Sequence, residues 1–336
     1  MKNRIMSIAL MLIAFLTVAS TGFCRPDYAP KMPPTHLVYS EVNPSDSYSA
    51  MLAKLFARRV RDLSNGRIII DIIEGSKIGD DRTVLEYIHK DVDIDIARVS
   101  VNYLQEYGAY KSGILSTPYI FTDIGHYDRF IRSDMRNEFL EELTELNTNF
   151  KGLFFVCEGF RNFFASKPII EPSDIKGLRL RAPSNAYFDE MIKKLGAVST
   201  KVDFTNLKEA LKNNTLDGAD QPVLNYLSNE FYKEAPYMIL NNHSLAVGEV
   251  VINANTWNYL TEEQRSIILR ASEYMERINK VTLREAEAKA LATLKEKGAN
   301  IIEVKDTGSW RNQCDEVTAT TIKAFGNLYH KIQELK

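Results

Sequence analysis

Three cysteines in 336 residues, none in a Cys-x-x-Cys spacing, leave this chain without a zinc-ribbon or dithiol redox motif. Neither sign of charge dominates. Lys and Arg number 42 against 44 Asp and Glu, for a formal net charge of −2, which offers no basic excess for a nucleic-acid partner. The five histidines (His36, His89, His126, His243, His330) are scattered, with no His-Glu-x-x-His spacing. A phosphate-cradling P-loop, a Gly-x-Gly-x-x-Gly turn and a Gly-x-Ser-x-Gly elbow are all missing. No metal and no cofactor is therefore expected. Paired carboxylates such as Asp80-Asp81 and Glu141-Glu142 read as a helix cap and a solvated face, because neighbours on a helix do not face one another. An enzyme built from dispersed residues stays open, since triads are not local in sequence.

Beyond Arg25 no apolar run approaches the length of a membrane span. The one such run lies before it. Lys2 and Arg4 precede Ile5 to Leu16, and small and polar residues follow from Thr17 to Gly22. That is the order of a secretory signal peptide. Residues 1–24 are read as the leader, cut between Ser20 and Arg25, and the mature protein as exported to the periplasm. Thr21-Gly22-Phe23-Cys24 loosely resembles a lipoprotein cleavage site, which leaves a lipid anchor on Cys24 open. In an oxidising compartment a Cys157–Cys314 bridge is also open.

What is present has the composition of a globular protein, 45% hydrophobic and 26% charged, with length for two domains. A Pro-rich linker (Pro26, Pro30, Pro33, Pro34) leads into Leu37-Val38-Tyr39, a strand. A helix over Tyr48 to Leu63, a strand over Arg67 to Ile73, a helix over Thr83 to His89 capped by Asp80 or Asp81, and a strand over Val92 to Val99 follow. This β-α-β-α-β order predicts a parallel sheet with helices on its faces. Apolar spacing predicts one helix from Ile124 to Leu146. Leu153 to Val156 is a strand, continued by an extended Gly159 to Lys167 that crosses into a second domain.

The second domain is organised around Gly177-Leu178-Arg179-Leu180-Arg181-Ala182-Pro183-Ser184. Leu178 and Leu180 alternate with Arg179 and Arg181, a half-buried strand. Ser184 suits the N-cap of a helix from Asn185 to Leu195. Arg181 then stands at the carboxyl end of a strand beside a helix N-terminus, where open α/β sheets bind ligands. A guanidinium there suits a carboxylate. Two more arginines sit among apolar neighbours, Arg98 within Ile94 to Val99 and Arg161 between Phe160 and Asn162-Phe163-Phe164. Each needs a partner: an internal acid such as Glu158, Glu74 or Asp95, or the acid of a ligand. A long strand over Leu245 to Asn253 is placed to run across both domains. Thr261-Glu262-Glu263-Gln264 is a capping box that opens a long helix, and Trp310 to Leu335 is read as a closing helix.

Taken in order, several stretches resemble the solute-binding subunit of tripartite ATP-independent periplasmic (TRAP) transporters, the DctP-like family. They are Ser64-Asn65-Gly66-Arg67-Ile68, Ile78-Gly79-Asp80-Asp81-Arg82, Asp93-Ile94-Asp95-Ile96-Ala97, Leu115-Ser116-Thr117-Pro118-Tyr119-Ile120-Phe121, Gly159-Phe160-Arg161-Asn162, Lys176 to Pro183, Asp217-Gly218, Phe231-Tyr232-Lys233-Glu234, Asn242-His243-Ser244 and Trp257-Asn258-Tyr259-Leu260-Thr261. The resemblance implies an α/β, two-lobed periplasmic-binding-protein-like fold with a hinge, long C-terminal helices and a strand shared between lobes. It places lobe 1 at 25–157, lobe 2 at 158–250, and bracing strands and helices at 251–336.

It also implies a binding protein, not an enzyme, that captures a small organic acid and delivers it to membrane permease subunits, as a monomer. At the position of Arg181 the family makes its bidentate carboxylate contact, and Arg161 resembles the second arginine of such sites. Gln221 stands where the family often has Asn. Asp46 and Asp81 fall where relatives place polar contacts, with Glu74 and His243 as further candidates. Ala97-Arg98-Val99-Ser100 resembles a variant found in sugar-acid binders. The ligand order is hexuronate (glucuronate or galacturonate) first, C4-dicarboxylate second, sialic or another keto acid third. A secreted enzyme acting on sugar acids and a binding protein that signals to a membrane sensor are the alternatives.

Overall fold

A computed structural model describes residues 33–182 and 186–336, with the backbone alone at 186 and 187. The leader, Cys24, most of the Pro-rich linker and the Ser184 cap lie outside the described residues.

Ten strands form one twisted sheet: β1 (Thr35–Glu41), β2 (Ile68–Glu74), β3 (Ile96–Ser100), β4 (Phe150–Ala165), β5 (Arg179–Ala182), β6 (Val198–Lys201), β7 (Gly218–Pro222), β8 (Tyr237–Leu240), β9 (Ser244–Asn253) and β10 (Asn300–Glu303). Their order is β2-β1-β3-β9-β4-β7-β5-β6, with β8 beside β4 and β10 beside β8. Two parallel sets, β2-β1-β3 and β7-β5-β6, flank the antiparallel pair β4 and β9. This gives the two-lobed fold. The predicted β-α-β-α-β start forms a parallel sheet, and the strand after His243 is shared as expected.

The shared pair is longer than sequence alone suggests. Leu153–Val156 and the extended stretch after it are one 16-residue strand, β4. Its register against β9 shifts between Cys157 and Phe160, and Gly159 takes φ +97° there, a backbone region that only glycine enters without strain. A Cβ at Gly159 would stand 2.1 Å from Glu287 Oε1. Before the shift β4 pairs with β9 in the first half-sheet; after it, Phe160 and Arg161 still pair with β9, and β4 then pairs with β7 from Arg161 onward and with β8 at Phe164 and Ala165.

The helices follow their caps. Ser47 accepts from Ala50 N and opens Tyr48–Leu63. Its buried face carries Leu52, Phe56 and Val60, and the Phe56 ring lies 5.1 Å from that of Phe154 on β4. Thr261 and Gln264 form the predicted reciprocal capping box of Glu262–Glu296, 35 residues or roughly 50 Å of helix. Asn279 on that helix fastens it to β4 just before the register shift. Its Oδ1 accepts from Cys157 N at 2.8 Å, and its Nδ2 donates to Cys157 O at 2.8 Å and to the Tyr48 hydroxyl at 3.0 Å.

Some expected elements divide. Ile124 to Leu146 is two helices, Ile124–Ile131 and Met135–Glu145, the first closing in a tightened turn in which Ser133 N donates to Phe130 O. The closing segment splits into Thr307–Asn312 and Asp315–Gln333. Cys157 and Cys314 are both buried and unpaired. They sit in different apolar clusters, so the bridge left open by the sequence is not formed. Among the described residues no helix is long and apolar enough to cross a membrane.

Candidate functional site

Between the two half-sheets lies a cavity of about 50 Å³, lined by Asp81, Arg98, Tyr103, Glu158, Arg161 and Arg181 among others. Five predicted residues (Arg181, Arg161, Gln221, Arg98 and Asp81) meet on its wall. Three do not. Asp46 is exposed in the loop before Tyr48–Leu63. Glu74, at the end of β2, lies 2.8 Å from Lys54 Nζ. His243 is buried behind Arg161, its Nε2 3.1 Å from Asp220 Oδ2 and its Nδ1 3.1 Å from Asn241 Oδ1.

The carboxyl ends of the parallel strands supply the wall on both sides, as the rule for open sheets requires. On the first side, Glu41 ends β1 and Arg98 lies in β3. Arg98 Nη2 donates to Glu41 Oε1 at 2.9 Å, Nε to Glu41 Oε2 at 3.3 Å, and Nη1 stands 3.2 Å from Glu158 Oε1. Of the internal acids expected for Arg98, Glu158 is present; Glu74 and Asp95 are engaged elsewhere. Glu41 was not anticipated. Gly248 on the adjacent β9 makes the room, since a Cβ there would stand 2.7 Å from Arg98 Cδ. Burial by itself would lower the pKa of Arg98; Glu158, Glu41 and Asp81 together outweigh it and hold the group charged.

Asp81 is 7% exposed at the start of Asp81–His89. Its Oδ2 accepts from Ser100 N at 2.9 Å. Its Oδ1 is buried without a partner among the described residues. Burial pushes the carboxyl up to about 6, against the pull of Arg98. An orphan acceptor on a cavity wall is costly unless something donates to it.

On the second side, Arg161 on β4 is locked to Asp220 on β7, with Nε donating to Oδ2 at 2.5 Å and Nη2 to the Asp220 carbonyl at 2.9 Å. Burial alone would raise the Asp220 carboxyl, but Arg161 and His243 hold it well below the usual range. Arg181 at the end of β5 is 3% exposed. Its Nε donates to Val202 O at 2.8 Å, the Tyr103 hydroxyl is a hydrogen-bond partner, and its guanidinium lies 5.9 Å from the Phe204 ring centroid. Among the described residues no carboxylate forms an ion pair with it. Burial lowers its pKa, and Arg161 pulls in the same direction.

Sequence reasoning missed Glu41, Tyr103 and Asn225. Glu41 carried a usable signal, an acid at the carboxyl end of the first strand. Tyr103, in Val101–Leu104 after β3, and Asn225, whose Nδ2 donates to Glu158 Oε2 at 3.0 Å, carried none, because their partners are distant in sequence.

The family described as bacterial extracellular solute-binding protein, family 7, matches residues 39–324. The C4-dicarboxylate-binding periplasmic protein DctP of Vibrio cholerae is 26% identical over 289 residues, covering 85% of this chain and 83% of that protein. A TRAP periplasmic solute-binding protein from Pseudomonas putida F1, solved with bound D-glucuronate, is similar in fold with a TM-score of 0.84 at 22% identity, covering 89% of this chain and 96% of the other. One from Polaromonas sp. JS666, solved with D-erythronate, gives 0.84 at 24% identity and covers 89% and 98%.

Proposed function

The chain belongs to the bacterial extracellular solute-binding proteins of family 7, and from that premise we propose that it captures a sugar acid outside the cytoplasm and hands it to a TRAP permease. The first candidate is a hexuronate, glucuronate or galacturonate. In this reading the leader at 1–24 exports the protein, lobe 1 and lobe 2 meet at the register shift near Gly159, and the monomer binds without turnover.

One observation carries the reading. Arg181 is a buried guanidinium on the cavity wall with no ion-pair partner among the described residues; Asp220, already bound by Arg161, acts on it only from a distance. A buried, unpaired charge is strongly unfavourable, and a ligand carboxylate supplies the missing charge with two parallel hydrogen bonds. The Asp81 Oδ1 atom then takes a hydroxyl donor from the same ligand. Closure of the lobes removes both contacts from water, which strengthens them. The ligand favours the closed form only through its greater affinity for it. A four-carbon hydroxy acid is the second reading, supported by the D-erythronate bound in the similar Polaromonas protein.

Calorimetric titration with glucuronate, galacturonate, erythronate, succinate and sialic acid tests this. Saturable binding of a sugar acid with no product formed is expected. Product formation, or binding confined to succinate or sialic acid, contradicts it.

A further inference from the structure

The two walls of the cavity carry opposite charge. On one side stand Arg181 and Arg161, with Asp220 between Arg161 and His243. On the other, a single cation, Arg98, is held by Glu41 and Glu158 with Asp81 close by. That side therefore has three carboxylates around one guanidinium, and both Glu158 and Asp81 reach the cavity surface. Glu158 has every bond it needs: Oε1 faces Arg98 Nη1 and the Ser49 hydroxyl at 3.2 Å each, and Oε2 accepts from Asn225.

We propose that Glu158, with Glu41 behind it, is a specificity residue that masks Arg98 and excludes ligands carrying a second carboxylate. The inference rests on Arg181 as the anchor for the first one. A monoacid held at Arg181 points its hydroxyls at the Glu158–Asp81 wall, where Asp81 Oδ1 is the acceptor that needs a donor. A diacid of the same length brings a negative charge to that wall instead, and the one cation there is already neutralised. Like charges brought together in a closed, dehydrated cleft repel strongly. Arg98 thus serves to hold two acids in place and is withheld from the ligand. The presence of three arginines in one cavity suggests a dicarboxylate site only until their partners are counted.

The substitution that tests this is conservative. In Glu158→Gln the amide oxygen still accepts from Arg98 and Ser49, and the amide nitrogen donates to Asn225 once that side chain turns its own oxygen inward. The wall loses one negative charge and Arg98 keeps only Glu41. Affinities are measured by calorimetry, at neutral pH or slightly above, for two matched pairs: D-erythronate with meso-tartrate and D-glucuronate with D-glucarate.

The native protein is expected to prefer the monoacid of at least one pair by tenfold or more. Glu158→Gln should narrow that ratio at least tenfold by gaining affinity for the diacid. Glu41→Gln, which relieves the same arginine from the far side, provides an independent second variant. Equal or tighter binding of the diacid by the native protein overturns the inference and leaves the acid-binding function standing. A native preference that neither variant narrows also overturns it. Failure of all four acids to bind overturns the proposed function and this inference with it.

Discussion

Arg181, with no ion-pair partner among the described residues, and Asp81, whose Oδ1 has no hydrogen-bond partner there, are the residues on which the affinity of the site depends most directly. Replacing Arg181 by Ala removes the carboxylate's partner. A desolvated charge pair broken on one side costs about 2–5 kcal/mol, so a loss of binding by roughly thirtyfold to more than a thousandfold is expected in calorimetry. Arg181→Lys should recover only part of it, because an ammonium cannot make the planar two-bond contact. Asp81→Asn should weaken a hydroxylated acid by about tenfold, as the amide oxygen still accepts but the hydrogen bond loses its charge assistance. The pH dependence has a definite sign. A ligand hydroxyl that donates to Asp81 favours the ionised carboxylate. Below about 6, where the buried carboxyl is protonated, binding must first release that proton. Affinity should therefore rise as pH increases through 6 in the native protein and stay flat in Asp81→Asn. A native profile that falls over this range would show that the ligand takes a proton from Asp81 instead of giving a hydrogen bond to its carboxylate.

At the scale of the element, β4 and β9 matter most. Gly159→Ala puts a side chain into a positive-φ position, where Glu287 would also meet the new Cβ. Destabilisation by about 1–3 kcal/mol is expected, seen as a lower denaturation midpoint, together with weaker ligand binding if the register shift is the hinge. Glu249 on β9 gives a second prediction. It is fully buried in the first half-sheet, its Oε1 over Gly152 and Ser112 donating to its Oε2 at 2.8 Å. Burial raises its pKa from the usual 4.5 to about 8, with nearby Glu142 adding to the effect. The folded state then holds this proton more tightly than the unfolded state, so stability falls as pH rises from 4.5 to 8 and levels off above. The full effect is on the order of 5 kcal/mol. Glu249→Gln mimics the protonated group. Its stability relative to the native protein, measured by urea denaturation, should rise over that range; a constant difference would show that Glu249 is already ionised.

Legibility from the sequence follows the range of the interactions. Tyr48–Leu63 was readable to both ends, and the capping box of Glu262–Glu296 was readable from four residues, because caps and amphipathic faces are local. The break between Ile131 and Met135 was hidden because the apolar spacing runs straight through it. The 16-residue length of β4 was hidden because a glycine and a change of sheet partner look like an end. The place of Arg181 at the carboxyl end of a strand was legible from the alternation of Leu178 and Leu180 with Arg179 and Arg181. The true environment of Arg98 was not, since Glu41 lies 57 residues away and only the parallel pairing of β1 with β3 brings them together.

At the scale of the whole molecule, the antiparallel β4 and β9 link two parallel half-sheets, and the long helix Glu262–Glu296 is fastened to the crossing by Asn279. Such a frame predicts that the halves move about a short segment, the cavity opening and closing while the charged wall of each half stays preassembled. A small-angle scattering measurement should show a more compact protein on saturation with the bound acid, and no change for Arg181→Ala under the same conditions. Whether Arg181 anchors the acid is decided by a thermal-shift titration of native protein and Arg181→Ala, side by side, against the same sugar acids. Ligand at a hundredfold excess over its dissociation constant adds about 2.7 kcal/mol of stability, enough to raise the melting temperature by several degrees. That rise is expected in the native protein and is expected to disappear in Arg181→Ala. An equal rise in both proteins would contradict this, because the acid would then be held somewhere other than at Arg181.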